Sequence, residues 1–255
     1  MKYRLKAAER DLFYSRNDEK DRRLGELIPR ATIEEITQDS VVIIGVPEDR
    51  GITANKGRAG AENGPDDIRR RLYKLTPGFT MNFEKLHVMD IGNIDTSMLT
   101  LAEVHSAETA AVAEIAARGG IPVVLGGGHD LTYPGIEGLV RGADIEHDGM
   151  GLINVDAHLD VRSDENDINS GTSFYRALTQ LPNEALCGHA FVEFGIQEQY
   201  NSPYYYNWVL SRGGHVITLR EVSERVMEFF LQALSWAGQT NRTVAVSLDI
   251  DAVRS

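Results

Sequence analysis

A single cysteine, Cys187, occurs in 255 residues. That excludes an internal disulfide framework and any metal site built from several thiolates. Positive charge is also scarce. The chain has 26 Lys and Arg against 38 Asp and Glu, a net charge of −12. Nucleic acid and anionic membrane surfaces would both repel such a protein, so neither is an expected partner. No stretch approaches about 18 consecutive apolar residues, the length a spanning helix needs. The opening Met-Lys-Tyr-Arg-Leu-Lys leads into charged sequence rather than an apolar run, so no secretory signal is expected. The expectation is an acidic, soluble protein of a reducing, cytoplasmic compartment. Its 42% hydrophobic and 25% charged content is that of an ordinary globular chain with enough apolar residues for a core.

What is present is an alternation of short apolar runs and amphipathic stretches. Residues 41–46, 87–91, 121–125, 151–155, 191–196, 215–219 and 243–248 are predicted strands. They are too short for helices and rich in β-branched residues, and several are apolar on both faces, as buried parallel strands are. Gly64-Pro65-Asp-Asp opens a predicted helix, with Pro in its first turn and acids at its positive end. Thr100-Leu-Ala-Glu103 has capping-box spacing and starts an Ala-rich helix that ends at Gly119-Gly120. Apolar residues recur at helical spacing over 220–236. The pattern predicts an α/β fold with a mostly parallel sheet covered by helices on both faces, in a single domain spanning 1–255. The charged stretch 16–23 is expected to be a solvated arm or surface helix. The Gly-rich residues 47–64 are expected to form a loop bordering a crevice.

Three predicted strands run into chemistry-bearing residues. One is followed by Gly126-Gly-Gly-His129-Asp130, another by Asp156-Ala-His158-Leu-Asp160, and the last by Asp249-Ile-Asp251. Ligands of open parallel sheets bind beyond the carboxyl ends of the strands, so the three clusters are expected at one edge. If extended geometry persists, Asp156, His158 and Asp160 share one direction, as do Asp249 and Asp251. Four carboxylates brought together would raise one another's pKa unless a counter-charge is present. Two divalent cations provide that charge. Carboxylate and imidazole ligands without thiolate suit Mn²⁺, with Zn²⁺, Fe²⁺ or Co²⁺ as alternatives. His87, His105, His147, His189 and His215 lack such company and are expected at the surface or satisfied in the core. Cys187 is expected to be a small buried hydrophobe, and the aromatic residues 204–208 to serve packing or a subunit contact.

Gly-Gly-Gly-His-Asp, Asn-Val-Asp-Ala-His-Leu-Asp-Val-Arg and Ser-Leu-Asp-Ile-Asp resemble the three metal motifs of the ureohydrolases, the arginase and agmatinase superfamily. The resemblance takes in residues 44–52 and 64–69 and extends over nearly the whole chain. It implies a three-layer α/β/α fold, homo-oligomeric assembly and a two-manganese centre. His129, Asp156, Asp160 and Asp249 look like ligands of one ion, and Asp156, His158, Asp249 and Asp251 look like ligands of the other. Asp156 and Asp249 would bridge. Within the superfamily, residues 13–25 and Asn169-Ser-Gly-Thr-Ser-Phe174 are similar to the formimidoylglutamases. Arginases and agmatinases have a histidine where this chain has Ser170, which weighs against a histidine proton shuttle. The implied substrate is a small amidine, N-formimidoyl-L-glutamate. The alternatives are a guanidino compound such as agmatine, arginine or guanidinobutyrate, or a non-catalytic subunit.

The resemblance makes Asp160 the expected proton carrier and Asp130 an expected orienter of His129. Arg162, two residues beyond Asp160, is expected at the crevice rim, where its planar fork suits a substrate carboxylate, with Arg58 and Arg176 as the next candidates. Ser170 is expected to position water or substrate. Family members continue past the Asp-x-Asp motif with a further strand, helices and a substrate-contacting glutamate, so this chain is expected to be part of a longer protein.

Overall fold

The computed structural model describes residues 3–80, 82–239 and 242–253. It divides into two compact units, Met1–Ala143 and Asp144–Ser255. In the first unit the order is β1 (Leu5–Lys6), α1 (Leu24–Leu27), β2 (Val41–Gly45), α2 (Arg50–Ala54), α3 (Gly64–Leu72), β3 (Val88–Ile94), α4 (Leu101–Ala117), β4 (Ile121–Leu125) and α5 (Thr132–Gly142). The second continues with β5 (Met150–Val155), α6 (Ser173–Gln180), β6 (Leu186–Ile196), α7 (Pro203–Ser211), β7 (His215–Thr218), α8 (Leu219–Val222), α9 (Val226–Ala237) and β8 (Thr243–Leu248).

Each unit has a four-stranded sheet. The first is ordered β1-β3-β2-β4 and is parallel except for the short β1, which runs antiparallel to β3. The second, β7-β6-β5-β8, is wholly parallel. All seven predicted strands are present. Parallel pairing buries both faces of the central ones, which is why their sequence is continuously apolar. Val42 and Ile44 on β2, with Val104, Ala111 and Ile115 on α4, centre the first core. Ile153, Val192, Phe194 and Ile217, with Ala233 and Ala237, centre the second.

Two expectations are corrected. Residues 47–64 are not one loop, because α2 lies within them and Gly64 already begins α3. Residues 220–236 are not one helix. Thr218 and Glu221 form a capping box that starts α8 at Leu219, and Arg225 leaves helical geometry at φ −138° and ψ 43° before α9 begins. Val226, expected on the apolar face, is consequently exposed. The capping box at Thr100 forms as predicted, with Thr100 accepting from the Glu103 N–H, and Gly119 ends the segment after α4 at φ +78°. No helix among the described residues is long and apolar enough to cross a membrane.

Inside the first unit, α4 places His105 and Glu108 beside Asp130. The Asp130 carboxylate lies 2.8 Å from His105 Nε2, so His105 is a satisfied core residue. Glu108 is completely buried, and neither of its carboxyl oxygens finds a partner among the described residues. Burial first, and then the negative Asp130, hold its pKa well above the usual carboxylate range. A carboxyl raised in this way contributes stability that is complete below its unfolded pKa and is lost as pH rises through the folded value. Glu108→Gln has no such proton to lose. The variant is therefore expected to gain on the wild type in urea unfolding as pH rises above the ordinary carboxylate range. Parallel stability curves would show that Glu108 does not carry this cost.

Candidate metal centre

Beyond β5 the ladder's last bonds are Asp156 N–H to Phe194 C=O at 3.0 Å and Asp249 N–H to Val155 C=O at 3.0 Å. The chain then leaves the strand. Asp156 to His158 form a bend, and Asp160 adopts the left-handed region at φ +45°. Extended geometry, the condition on which a shared direction for Asp156, His158 and Asp160 depended, does not persist. The aspartates and histidine are gathered by turns instead. The His158 N–H donates to Asp156 Oδ1 at 2.8 Å, and the Asp251 N–H donates to Asp249 Oδ1 at 3.0 Å at the start of a 3₁₀ turn over Ile250–Ala252. A short polar side chain that bonds the backbone two residues on is what makes Asp suited to both positions.

These turns bring Asp156, His158 and Asp251 together, with ligand atoms within 4.8 Å of one another. His158 Nδ1 lies 2.9 Å from Asp251 Oδ2 and 3.6 Å from Asp156 Oδ1, and the Ala157 N–H reaches Asp251 Oδ1 at 3.3 Å. Asp156 is completely buried, whereas His158 and Asp251 are open to solvent. The electrostatics show the crowding of negative charge. Hydrogen bonding to Asp156, followed by the fields of Asp251, Asp156 and Asp160, raises the His158 pKa to about 9 against the opposing effect of burial. Burial, then Asp156 and Asp249, push Asp251 up to about 6. Hard oxygens with one borderline nitrogen, closely spaced and short of positive charge, fit a divalent cation such as Mn²⁺.

Support for Asp156 comes from the strand itself. Asn154, two residues earlier and on the same face, donates to Glu193 Oε2 at 2.8 Å, and its amide lies 3.4 Å from Asp156 Oδ2. Asn154 and Glu193 are register partners across β5 and β6. Strand alternation within the Asn-Val-Asp motif could have identified Asn154. Glu193 becomes visible only once the pairing is known. The Tyr200 ring sits 5.6 Å from the His158 imidazole, a neighbour no motif announced.

The remaining candidates are placed as follows. His129 opens a 3₁₀ turn, His129–Leu131, immediately after β4 and its glycines in the first unit. A side chain at Gly127 would stand 1.8 Å from the Glu48 carbonyl, so close backbone approach requires glycine there. Asp130 points into the core beside His105. Arg162 is exposed and its N–H donates to Gly171 C=O at 2.9 Å, which ties it to the turn holding Ser170. Arg176, by contrast, lies 3.6 Å from Asp164.

Cys187 is half-buried rather than fully buried, because it lies beside the Asp148 carboxylate at the opposite ends of the strands. Burial, then that carboxylate, raise its thiol pKa. Asp148, Cys187 and His189 also cluster closely. The Arg242 guanidinium already sits on them, however, 2.6 Å from Asp148 Oδ2 and 2.8 Å from His189 Nε2. A fixed internal cation balances that group.

Because His158 holds its proton up to about 9, cation uptake by the first cluster is expected to release protons near neutrality and to tighten as pH rises toward that value. Calorimetric titration with Mn²⁺ in buffers of different ionisation enthalpy measures the release. Heats independent of the buffer would contradict it.

The arginase family profile matches residues 39–255. A formimidoylglutamase of Hahella chejuensis is 35% identical over 174 residues, covering 66% of this chain and 51% of that protein. The chain thus spans about half the length of that relative. Among solved structures, Trypanosoma cruzi formiminoglutamase with Mn²⁺ aligns at a TM-score of 0.79 and 32% identity, covering 91% of this chain and 75% of that one. Formimidoylglutamase from Bacillus subtilis aligns at a TM-score of 0.80, covering 93% and 73%. At 22% identity that second likeness carries the fold alone, the three-layer α/β/α arrangement. Since the match begins just before β2 and runs through the last aspartate motif, the chain belongs to the arginase family.

Proposed function

We propose that this chain carries the metal centre of a hydrolase that cleaves the C–N bond of a linear amidine, converting N-formimidoyl-L-glutamate and water to L-glutamate and formamide. The observation that carries the proposal is the Asp156–His158–Asp251 cluster beyond the strand ends, in a chain whose relatives include proteins named formimidoylglutamase. Ser170, where arginases and agmatinases have histidine, supports the same substrate class.

Asp156, His158, Asp160, Asp249 and Asp251, with His129 as the motif resemblance implies, are the residues that would hold divalent cations, most readily Mn²⁺. A pair of such ions supplies Lewis-acid activation of water at neutral pH. The protein's own part is positional and proton-handling. Asp156, packed against Asn154 and buried, sets the depth of the site. Asp160 is the assigned proton carrier, taking a proton from the attacking water and delivering it to the leaving nitrogen. Its left-handed backbone is an unusual conformation for a side-chain-bearing residue, and such outliers collect at functional sites. Arg162 would bind a substrate carboxylate through its planar fork, which would also repel cationic agmatine.

Turnover of N-formimidoyl-L-glutamate, agmatine and arginine with added Mn²⁺, in the protein containing this chain, tests the proposal. Activity on the first is expected; activity confined to a guanidino compound would replace the substrate, and no activity on any would refute the reaction. Asp156→Ala is expected to abolish bound metal and turnover together, and His129→Ala to lower metal stoichiometry. Arg162→Ala is expected to lower kcat/KM for N-formimidoyl-L-glutamate, reaching about 2–5 kcal/mol only if bound substrate excludes water from this exposed guanidinium. Arg162→Lys is expected to raise KM more than it lowers kcat. A wild-type KM in both variants would remove Arg162 from the substrate site.

A further inference from the structure

The segment that carries His158 has left the sheet, so its backbone groups need partners that the ladder no longer supplies. One side chain provides them. Asn201 Oδ1 accepts from the Leu159 N–H at 2.9 Å, while Asn201 Nδ2 donates to the Ala157 C=O at 2.9 Å and to the Gln197 C=O at 2.9 Å. The Gln197 N–H adds a bond to the same Ala157 carbonyl at 3.0 Å. The peptide groups on both sides of His158 are therefore held by one amide, which itself sits just after the 3₁₀ turn Glu198–Tyr200 that follows β6.

Few side chains could do this. The site needs one acceptor and two donors in a plane at short reach, and among side chains only the carboxamides offer both. Glutamine would place them a methylene further out. Aspartate would set a carboxylate oxygen against two carbonyls and lose both donated bonds.

We propose that Asn201 is a positioning residue for the metal-binding loop, fixing the His158 main chain on both sides so that its imidazole meets Asp156 and Asp251 without rearrangement. The inference rests on the reading of Asp156, His158 and Asp251 as cation ligands. It assigns to Asn201 a share of the metal affinity rather than of the chemistry. Groups that orient metal ligands typically change affinity by about 10–100-fold when lost.

The test is calorimetric titration of Mn²⁺ into wild type, Asn201→Ala, Asn201→Asp and a control, Val209→Ala, which opens a cavity at a fully buried position on α7. Both Asn201 variants are expected to bind Mn²⁺ about 10-fold or more weakly, with KM for N-formimidoyl-L-glutamate unchanged once metal is saturating. The control is expected to lose thermal stability while keeping wild-type affinity. Asn201→Asp preserves the side chain's size, so it remains informative if the alanine variant unfolds. Wild-type Mn²⁺ affinity in an Asn201 variant, with only stability reduced, would overturn the proposal. Mn²⁺ binding by wild type without turnover of N-formimidoyl-L-glutamate would refute the substrate and leave Asn201 to be judged by affinity. A wild-type protein that binds no Mn²⁺ would overturn both.

Discussion

Negative charge gathered beyond the ends of β5 and β8 is the constraint on which the chemistry of this chain depends. Asp156 is completely buried, yet it shares its surroundings with Asp251 and a protonated His158, and the fields of Asp160 and Asp249 add to the crowding. A fold leaves a buried carboxylate this close to others only where something offsets their mutual repulsion. In the site's own terms the offset is the imidazolium of His158 and a raised Asp251. A divalent cation would do the same with more charge and would release those protons. The Asp148 cluster at the opposite strand ends solves the same problem differently, with the buried guanidinium of Arg242 in place.

The surrounding architecture serves the placement of these groups. Parallel pairing of β5 with both β6 and β8 brings the Asp156 and Asp249 segments side by side, because Val155 is in register with Leu248. Once pairing ends, Asx-type turns at Asp156 and Asp249 fold the chain back, and Asn201 and Asn154 satisfy or steady what the sheet no longer holds. In the first unit the glycines after β4 permit close backbone approach, and Asp130 is anchored on His105. Side chains with matched hydrogen-bonding capacity thus take over where the regular ladder stops.

Much of this was legible in the sequence, for physical reasons. The strands were legible because buried parallel strands must be apolar on both faces, and α4 because Thr100 and Glu103 carry the capping spacing. The gathering of Asp156, His158 and Asp251 was legible because carboxylates and imidazoles at strand ends are rarely assembled without purpose. What was missed lay in turns and cross-strand pairing. Strand alternation correctly grouped Asp156 with His158, although the grouping is achieved by a bend, and Asp160 turns left-handed. Apolar spacing suggested one helix across 220–236, where the capping box at Thr218 and the non-helical Arg225 divide it. Glu193 and Asn201 carry no sequence signal, since their roles depend on register and on a loop returning from β6. Cys187 was placed too deep because its neighbour Asp148 lies 39 positions away in sequence.

The central claim is that the Asp156–His158–Asp251 cluster is a divalent-cation centre. Anomalous diffraction from a crystal grown with Mn²⁺ tests it most directly, because the metal is located without reference to activity. The account predicts an anomalous peak within coordination distance of Asp156, His158 and Asp251. A map with no peak at that cluster, or with manganese bound instead among Asp148, Cys187 and His189, would contradict it.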